Sequence, residues 1–417
     1  MSTLDKHIIS KRSLQLSLQL IPVIIAFEMT DVKIGPVKIG ELFFLLYVFF
    51  CLITHTLKFR KIQTLFVVFF SIFFVITLLR NSFFRFDTSV ADSFIKGPYW
   101  ASFGRYLEYI ACISFSLYIS RLFDKYNWDS IISKLLLFNV IIILFLSLID
   151  IIYRLTSVNI TPGLNLFLES GRLTGFYIEG GPFGNFIAFL YMINYLFNNN
   201  KNKYVYTVIF IIGIILAESK AALSAIVLFH LILLFIQFYH KKWMKPMLIV
   251  FLLAGGLIFY RAFSTIGQQY LELYSNKDLL VYQILHSSDE DYSLLAGRVP
   301  GFFIFQEMFK DQPFLGIGLG NYPLLRNLAG YRLFFPSIPI YDAIGLGAIP
   351  NIINEMGLIG LSFFSYLVFR IWEKTKNIQL IIVFLFPMIF GVQLTFLYPW
   401  FILGIAETKK YIIRKHK

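Results

Sequence analysis

The residues best equipped for chemistry are a few cations in a very apolar chain. Arg105, Arg172, Lys220 and Arg298 stand near the ends of long hydrophobic runs or in the one long polar segment. Ionisable groups at membrane depth are costly and ordinarily have a partner or a function. Guanidinium groups make forked, charge-assisted hydrogen bonds to phosphate oxygens, so the four together suggest a phosphate-bearing ligand. Taken singly, each has a plain alternative in local pairing, such as Arg172 with Glu169 or Lys220 with Glu218. Glu179 follows Arg172 in RLTGFYIEGGPFGNF, where Gly180, Gly181 and Pro182 open a helix. A carboxylate beside a positive helix end can act as general base toward a sugar hydroxyl, or it can simply mark the helix start.

The polar segment 264–348 holds further candidates. Phe302, Phe305 and Phe309 share one helical face, with Arg298 about a turn earlier. DQPFLGIGLGN then ends that helix and supplies Gly316, Gly318 and Gly320, followed by Asn321. These glycines lack the strand–turn–helix setting of a dinucleotide site and read as tight backbone turns. The acidic run Asp289, Glu290, Asp291 lacks calcium-loop spacing, and the six histidines show no zinc spacing. No nucleophile elbow, P-loop or zinc-protease motif is present, and neither a metal nor a cofactor is expected.

The elements that must position these groups are membrane spans. Of 417 residues, 58% are hydrophobic and only 15% charged, and mean hydropathy is +0.71. A soluble domain carries about a quarter charged residues. Apolar runs long enough to cross the bilayer as helix recur along the chain, without the alternation of an outer-membrane barrel. They predict an all-α, polytopic bundle of about twelve transmembrane helices, at about 13–29, 39–57, 64–79, 106–123, 131–153, 180–197, 204–219, 221–239, 246–263, 349–372, 378–395 and 397–408. Pro387 and Pro399 interrupt the last two. The organisation expected is an N-terminal bundle at 1–263, a large external loop at 264–348, and C-terminal spans with a basic tail at 349–417.

Most lysines and arginines fall in alternate loops, among them Lys58, Arg60, Lys61, Arg121, Lys125, Lys201, Lys203 and Lys374. The positive-inside rule then puts both termini in the cytoplasm and 264–348 outside. This topology also accounts for the net charge of +13, with no need of a nucleic-acid partner. Cys51 and Cys112 lie inside apolar runs and read as small packing residues. No internal repeat of the kind that underlies many transporter folds is visible.

Four stretches in order, GRLTGFYIEGGPFGNF, AESKAALSA, DQPFLGIGLGN and PNIINEMGLIGLSFF, resemble the O-antigen polymerase and O-antigen ligase superfamily. The resemblance covers most of residues 170–372. It implies a bundle of about a dozen spans with one external loop. The activity it implies is glycan transfer from an undecaprenyl diphosphate carrier on the outer face of the bacterial inner membrane. Arg172 and Arg298, with Lys220, would hold the diphosphate, and Glu179 would be the candidate base. Arg105, Gly318, Gly320, Asn321 and Asn351 are further expected substrate contacts. The partners implied are an undecaprenyl-diphosphate-linked oligosaccharide, membrane lipid and a chain-length regulator protein. Ligases of the family typically carry His-Asn where this chain reads Ile349-Pro350-Asn351. That departure favours the polymerase branch, with ligase the nearest alternative. A lipid-linked oligosaccharide flippase is the alternative from another class.

Overall fold

The computed structural model describes residues 3–34, 37–89, 93–158, 171–238, 298–333, 347–389 and 391–408, with isolated positions 91, 276, 335, 337 and 338. Glu169, the expected span at 246–263, the acidic run at 289–291 and the tail at 409–417 lie outside the described residues.

The chain is a helical bundle: α1 (Thr3–Glu28), α2 (Ile39–Ile53), α3 (Lys61–Asn81), α4 (Pro98–Lys125), α5 (Trp128–Thr156), α6 (Gly180–Phe197), α7 (Lys203–Leu216), α8 (Lys220–Phe238), α9 (Arg298–Asp311), α10 (Ala348–Thr375), α11 (Ile378–Ile389) and α12 (Trp400–Ala406). Among the described residues, strand is confined to the hairpin of β1 (Lys33–Ile34) and β2 (Val37–Lys38). Among the described residues, four helical segments are long and apolar enough to cross a bilayer: α3, α5, Lys220–Gln237 of α8, and α10. Ser13–Glu28, Ile39–Ile53, α7 and α11 are shorter apolar helices. The chain is an all-α, multi-pass membrane protein.

Peripheral helices bury one stripe and leave the rest exposed, while Trp400–Ala406 is buried all round. In α3, Phe66, Phe69, Phe70 and Phe73 recur at helical spacing and are buried, while Val68, Ile72, Val75 and Leu79 are exposed. Phe66 and Phe70 pack on Trp400 of α12, and Phe69 stacks on Phe363 of α10 with ring centroids 4.6 Å apart. α4 runs through the middle, where Ser102, Ser114, Ser116 and Ser120 are fully buried and bond to carbonyls of their own helix. Gly404 of α12 lies against this helix, since a Cβ there would come within 2.6 Å of Ile119.

Polar contacts sort into two ends. At one, Arg60 bonds Asp124 and the Glu407 carbonyl, Lys374 pairs with Glu407 at 2.9 Å, and Lys134 donates to Ser13 and Ser17. The other end gathers β1–β2, the start of α4, the 171–179 loop, the α7–α8 turn and the glycine segment. Ser13 and Glu407 therefore share the end that carries the basic loops.

Two sequence expectations change. The expected span at 397–408 is helical only from Trp400 to Ala406, about 10 Å of rise, and that at 378–395 stops at Ile389. The buried, non-helical stretch Val392–Tyr398 joins them inside the bundle, where irregular backbone is tolerated because protein rather than lipid surrounds it. The Leu394 carbonyl accepts from the Trp400 indole, and the Thr395 carbonyl from the Cys112 thiol. Within the segment 264–348, residues 316–327 are buried among α3, α4 and α10.

Candidate active site at one end of the bundle

Helix α10 is broken at Gly357, whose φ of +65° and ψ of −164° are open to glycine and strained for other residues. The break frees the N–H groups of Leu358 and Ile359, which donate to the Pro313 and Phe314 carbonyls. The glycine segment thus caps the second half of α10. Its amides from Gly316 to Asn321 are all paired. Gly316 donates to the Gln312 carbonyl, Ile317 to Asn354, Gly318 to the Glu355 carbonyl, Leu319 to Thr77 Oγ1, Gly320 to Glu355 Oε1, and Asn321 to Gly318.

The three glycines have φ of +66°, +93° and +70°, which matches the expected tight turns. A Cβ at Gly320 would lie 2.6 Å from the Ala101 carbonyl, and one at Gly318 would lie 2.8 Å from Thr77. Gly318 and Gly320, expected to approach a substrate, instead let the loop approach α3 and α4. Asn321 is likewise engaged inside, donating to Asn81 Oδ1 at 2.8 Å and accepting from Ser102. Arg80 clamps the loop from α3 through the Gly316 carbonyl and Gln312 Oε1, each at 2.6 Å.

Beneath this loop lies a buried charge cluster. Glu355 Oε1 faces Arg105 Nε at 3.3 Å, at an angle that makes an ion pair rather than a straight hydrogen bond. Its Oε2 accepts from the Tyr109 hydroxyl at 3.1 Å. Arg105 Nη1 donates to Glu108 Oε2 at 2.6 Å. Lys38 and Glu41 pair nearby at 3.6 Å, and the Lys38 ammonium also sits over the Phe396 ring. Burial disfavours the Lys38 ammonium, but Glu41, Glu108 and Asp31 outweigh it, so its pKa is raised. Glu355 thus ties α10, α4 and the glycine segment together. The sequence reading gave no role to Glu355, Lys38, Glu41, Arg80, Glu108 or Tyr109. The available signals were the i,i+3 pairs Lys38/Glu41 and Arg105/Glu108.

Arg172, Glu179 and Lys220 meet elsewhere at the same end. The Leu173 amide bonds the Leu216 carbonyl, docking the loop before α6 onto the α7–α8 turn. A Cβ at Gly180 would lie 2.7 Å from the Ala217 carbonyl and 3.1 Å from Arg172 Cβ, so the start of α6 and this turn are in contact. Arg172 Nε pairs with Glu218 at 3.5 Å, both side chains about half exposed. Arg172 therefore pairs with the carboxylate that the sequence had offered to Lys220. Glu179 is the N-cap of α6, exposed and without a side-chain cap bond. Lys220 is exposed at the first residue of α8, and the Ser219 hydroxyl caps that helix through the Ala222 amide. Two positive helix ends, an arginine, a lysine and an exposed carboxylate thus share one surface.

The β1–β2 hairpin stands between the two groups. Asp31 Oδ2 accepts the Ile178 amide of the Arg172 loop at 3.3 Å, and Lys38 reaches the Arg105 side. Asn351 lies in the first turn of α10, and its amide donates to the Gly347 carbonyl. Arg298 begins α9, and its side chain and that of Phe302 lie outside the described residues. Among the described residues, no group of three or more His, Cys, Asp or Glu side chains could hold a metal ion.

Residues 205–365 match the family model described as O-antigen ligase. The match supports, over that stretch, the resemblance to the O-antigen polymerase and O-antigen ligase superfamily. It contains Lys220, the glycine segment, Asn351 and Glu355, and it begins beyond Arg105, Arg172 and Glu179. A comparison with curated proteins returns no match. The matched stretch therefore contributes the loop and most of α10, while α4 and the start of α6 supply their charged partners from outside it.

Proposed function

We propose that this protein is a polysaccharide polymerase that transfers glycan from an undecaprenyl diphosphate carrier to another lipid-linked repeat unit. The observation that carries this reading is the shared surface of Arg172, Lys220 and Glu179 at two helix starts, joined to the stretch that matches the O-antigen ligase family model. In this mechanism the acceptor hydroxyl attacks the anomeric carbon of the donor sugar as the bond from that carbon to the diphosphate oxygen breaks. Glu179 takes the hydroxyl proton. Arg172 and Lys220, aided by the helix ends, stabilise the charge gathering on the departing diphosphate. With cations available for that charge, the reading assigns no role to a metal. Arg298 would join the diphosphate site from α9. The end bearing the basic loops would face the cytoplasm of a bacterial inner membrane and the site its outer side.

A ligase reading has one specific support, the description of the matched family itself. A glycan ladder separates the two. Cells lacking this protein are complemented with wild type, Arg172→Ala, Glu179→Gln or Arg298→Ala at matched membrane abundance. The polymerase reading expects single repeat units on the final acceptor and no ladder from the variants. Long glycan accumulating on the carrier lipid would make the protein a ligase. A normal ladder from all three variants would remove the proposed site.

A further inference from the structure

The Arg105–Glu108 pair has features that suit neither a purely structural bridge nor a phosphate site. Arg105 is held from two sides, by Glu355 on Nε and by Glu108 on Nη1. Among the described residues no protein acceptor takes its remaining nitrogen, Nη2, and none of its neighbours takes Glu108 Oε1. The Glu108 side chain is 27% exposed, against 4% for Glu355. One end of this charge chain is therefore sealed and the other open.

Gly104 lies one turn before Glu108 on the same face of α4, and it is exposed. A Cβ there would meet nothing within 4 Å. Glycine weakens a helix interior, and elsewhere in this chain close packing accounts for it, as at Gly404 and Gly184. At Gly104 no packing among the described residues accounts for it. The glycine leaves the backbone bare one turn before Glu108 and next to Arg105, which is the use of glycine where a ligand approaches backbone closely.

We propose that Gly104, Arg105 and Glu108 form a sugar-hydroxyl subsite for the glycan, distinct from the surface that takes the diphosphate. The proposal rests on the transfer reading above. A neighbouring donor and acceptor fit a sugar hydroxyl, which accepts from Arg105 Nη2 and donates to Glu108 Oε1. A phosphate would meet the Glu108 carboxylate and be repelled. Glu355 acts as a positioning residue, holding the guanidinium beside that bare backbone.

The test uses the full chain in lipid nanodiscs with two probes, sugar-free undecaprenyl diphosphate and the lipid-linked repeat unit extracted from cells lacking this protein. Glu108→Gln should weaken binding of the sugar-bearing lipid by about tenfold, the worth of one charge-assisted hydrogen bond, Gly104→Leu should weaken it by filling the space beside Glu108, and both should leave the sugar-free lipid unaffected. Arg172→Ala should weaken both probes. Gly104→Leu should not lower the melting temperature, so its binding loss would not reflect unfolding. Equal weakening of both probes by Glu108→Gln, or unchanged binding of the sugar-bearing lipid, would overturn the subsite. Wild-type protein that binds neither lipid would overturn the transfer reading and this inference with it.

Discussion

Removing the Glu355 carboxylate tests whether the buried network, rather than apolar packing alone, fixes this end of the bundle. Glu355→Ala strands the Gly320 amide, the Tyr109 hydroxyl and half of the support for Arg105. Breaking a buried ion pair from one side costs about 3–5 kcal/mol. Each buried donor left unpaired adds about 1–3 kcal/mol, though contributions within one network do not simply add. A net loss of about 4–6 kcal/mol is expected, comparable to the whole stability of many domains. Glu355→Gln keeps one acceptor oxygen, for Gly320, turns an amide NH2 toward the Tyr109 hydroxyl, which must then accept instead of donate, and loses the charge, so about 1–3 kcal/mol is expected. The assay is thermal and denaturant unfolding of detergent-solubilised protein, with hydrogen exchange at Gly320 as the local readout. The alanine variant should also expose the Gly320 amide to fast exchange. A loss below about 1 kcal/mol for Glu355→Ala, with Gly320 still protected, would refute the reasoning.

Other expectations follow from the same geometry. Gly357→Ala puts a Cβ 2.2 Å from the Phe314 carbonyl at a φ of +65°, so a loss of at least about 2 kcal/mol should appear in the same unfolding assay. Arg172→Ala removes an exposed pair with Glu218 and should cost under about 1 kcal/mol, while the glycan ladder is lost. A stability loss as large as that of Glu355→Ala would instead make Arg172 structural. Lys374→Met at the opposite end leaves Glu407, whose side chain is 1% exposed, without its ion partner, and about 3 kcal/mol should be lost. The double variant with Glu407→Gln should recover most of that in a melting experiment.

The amino-acid sequence by itself determined the class of this protein. Hydrophobic runs of bilayer length can satisfy their backbone only as helix, so the fold class and most helix positions were readable from composition and order. Local chemistry was readable too. Pro182 behind two glycines opens α6, and the glycines after Asp311 form left-handed turns, because these preferences act within a few residues. What a residue touches across the bundle was decided by tertiary structure alone. Gly318 and Gly320 gave the same signal whether they faced a ligand or the wall of α4, and only packing put Ala101 and Thr77 against them. Glu355 looked like one more polar residue of an apolar helix until Arg105, Tyr109 and Gly320, hundreds of positions apart in part, converged on its two oxygens. The seven-residue α12 and the irregular stretch before it escaped a hydropathy reading for the same reason. Apolar content reports that a segment is out of water, while its neighbours decide whether its backbone must be helical there.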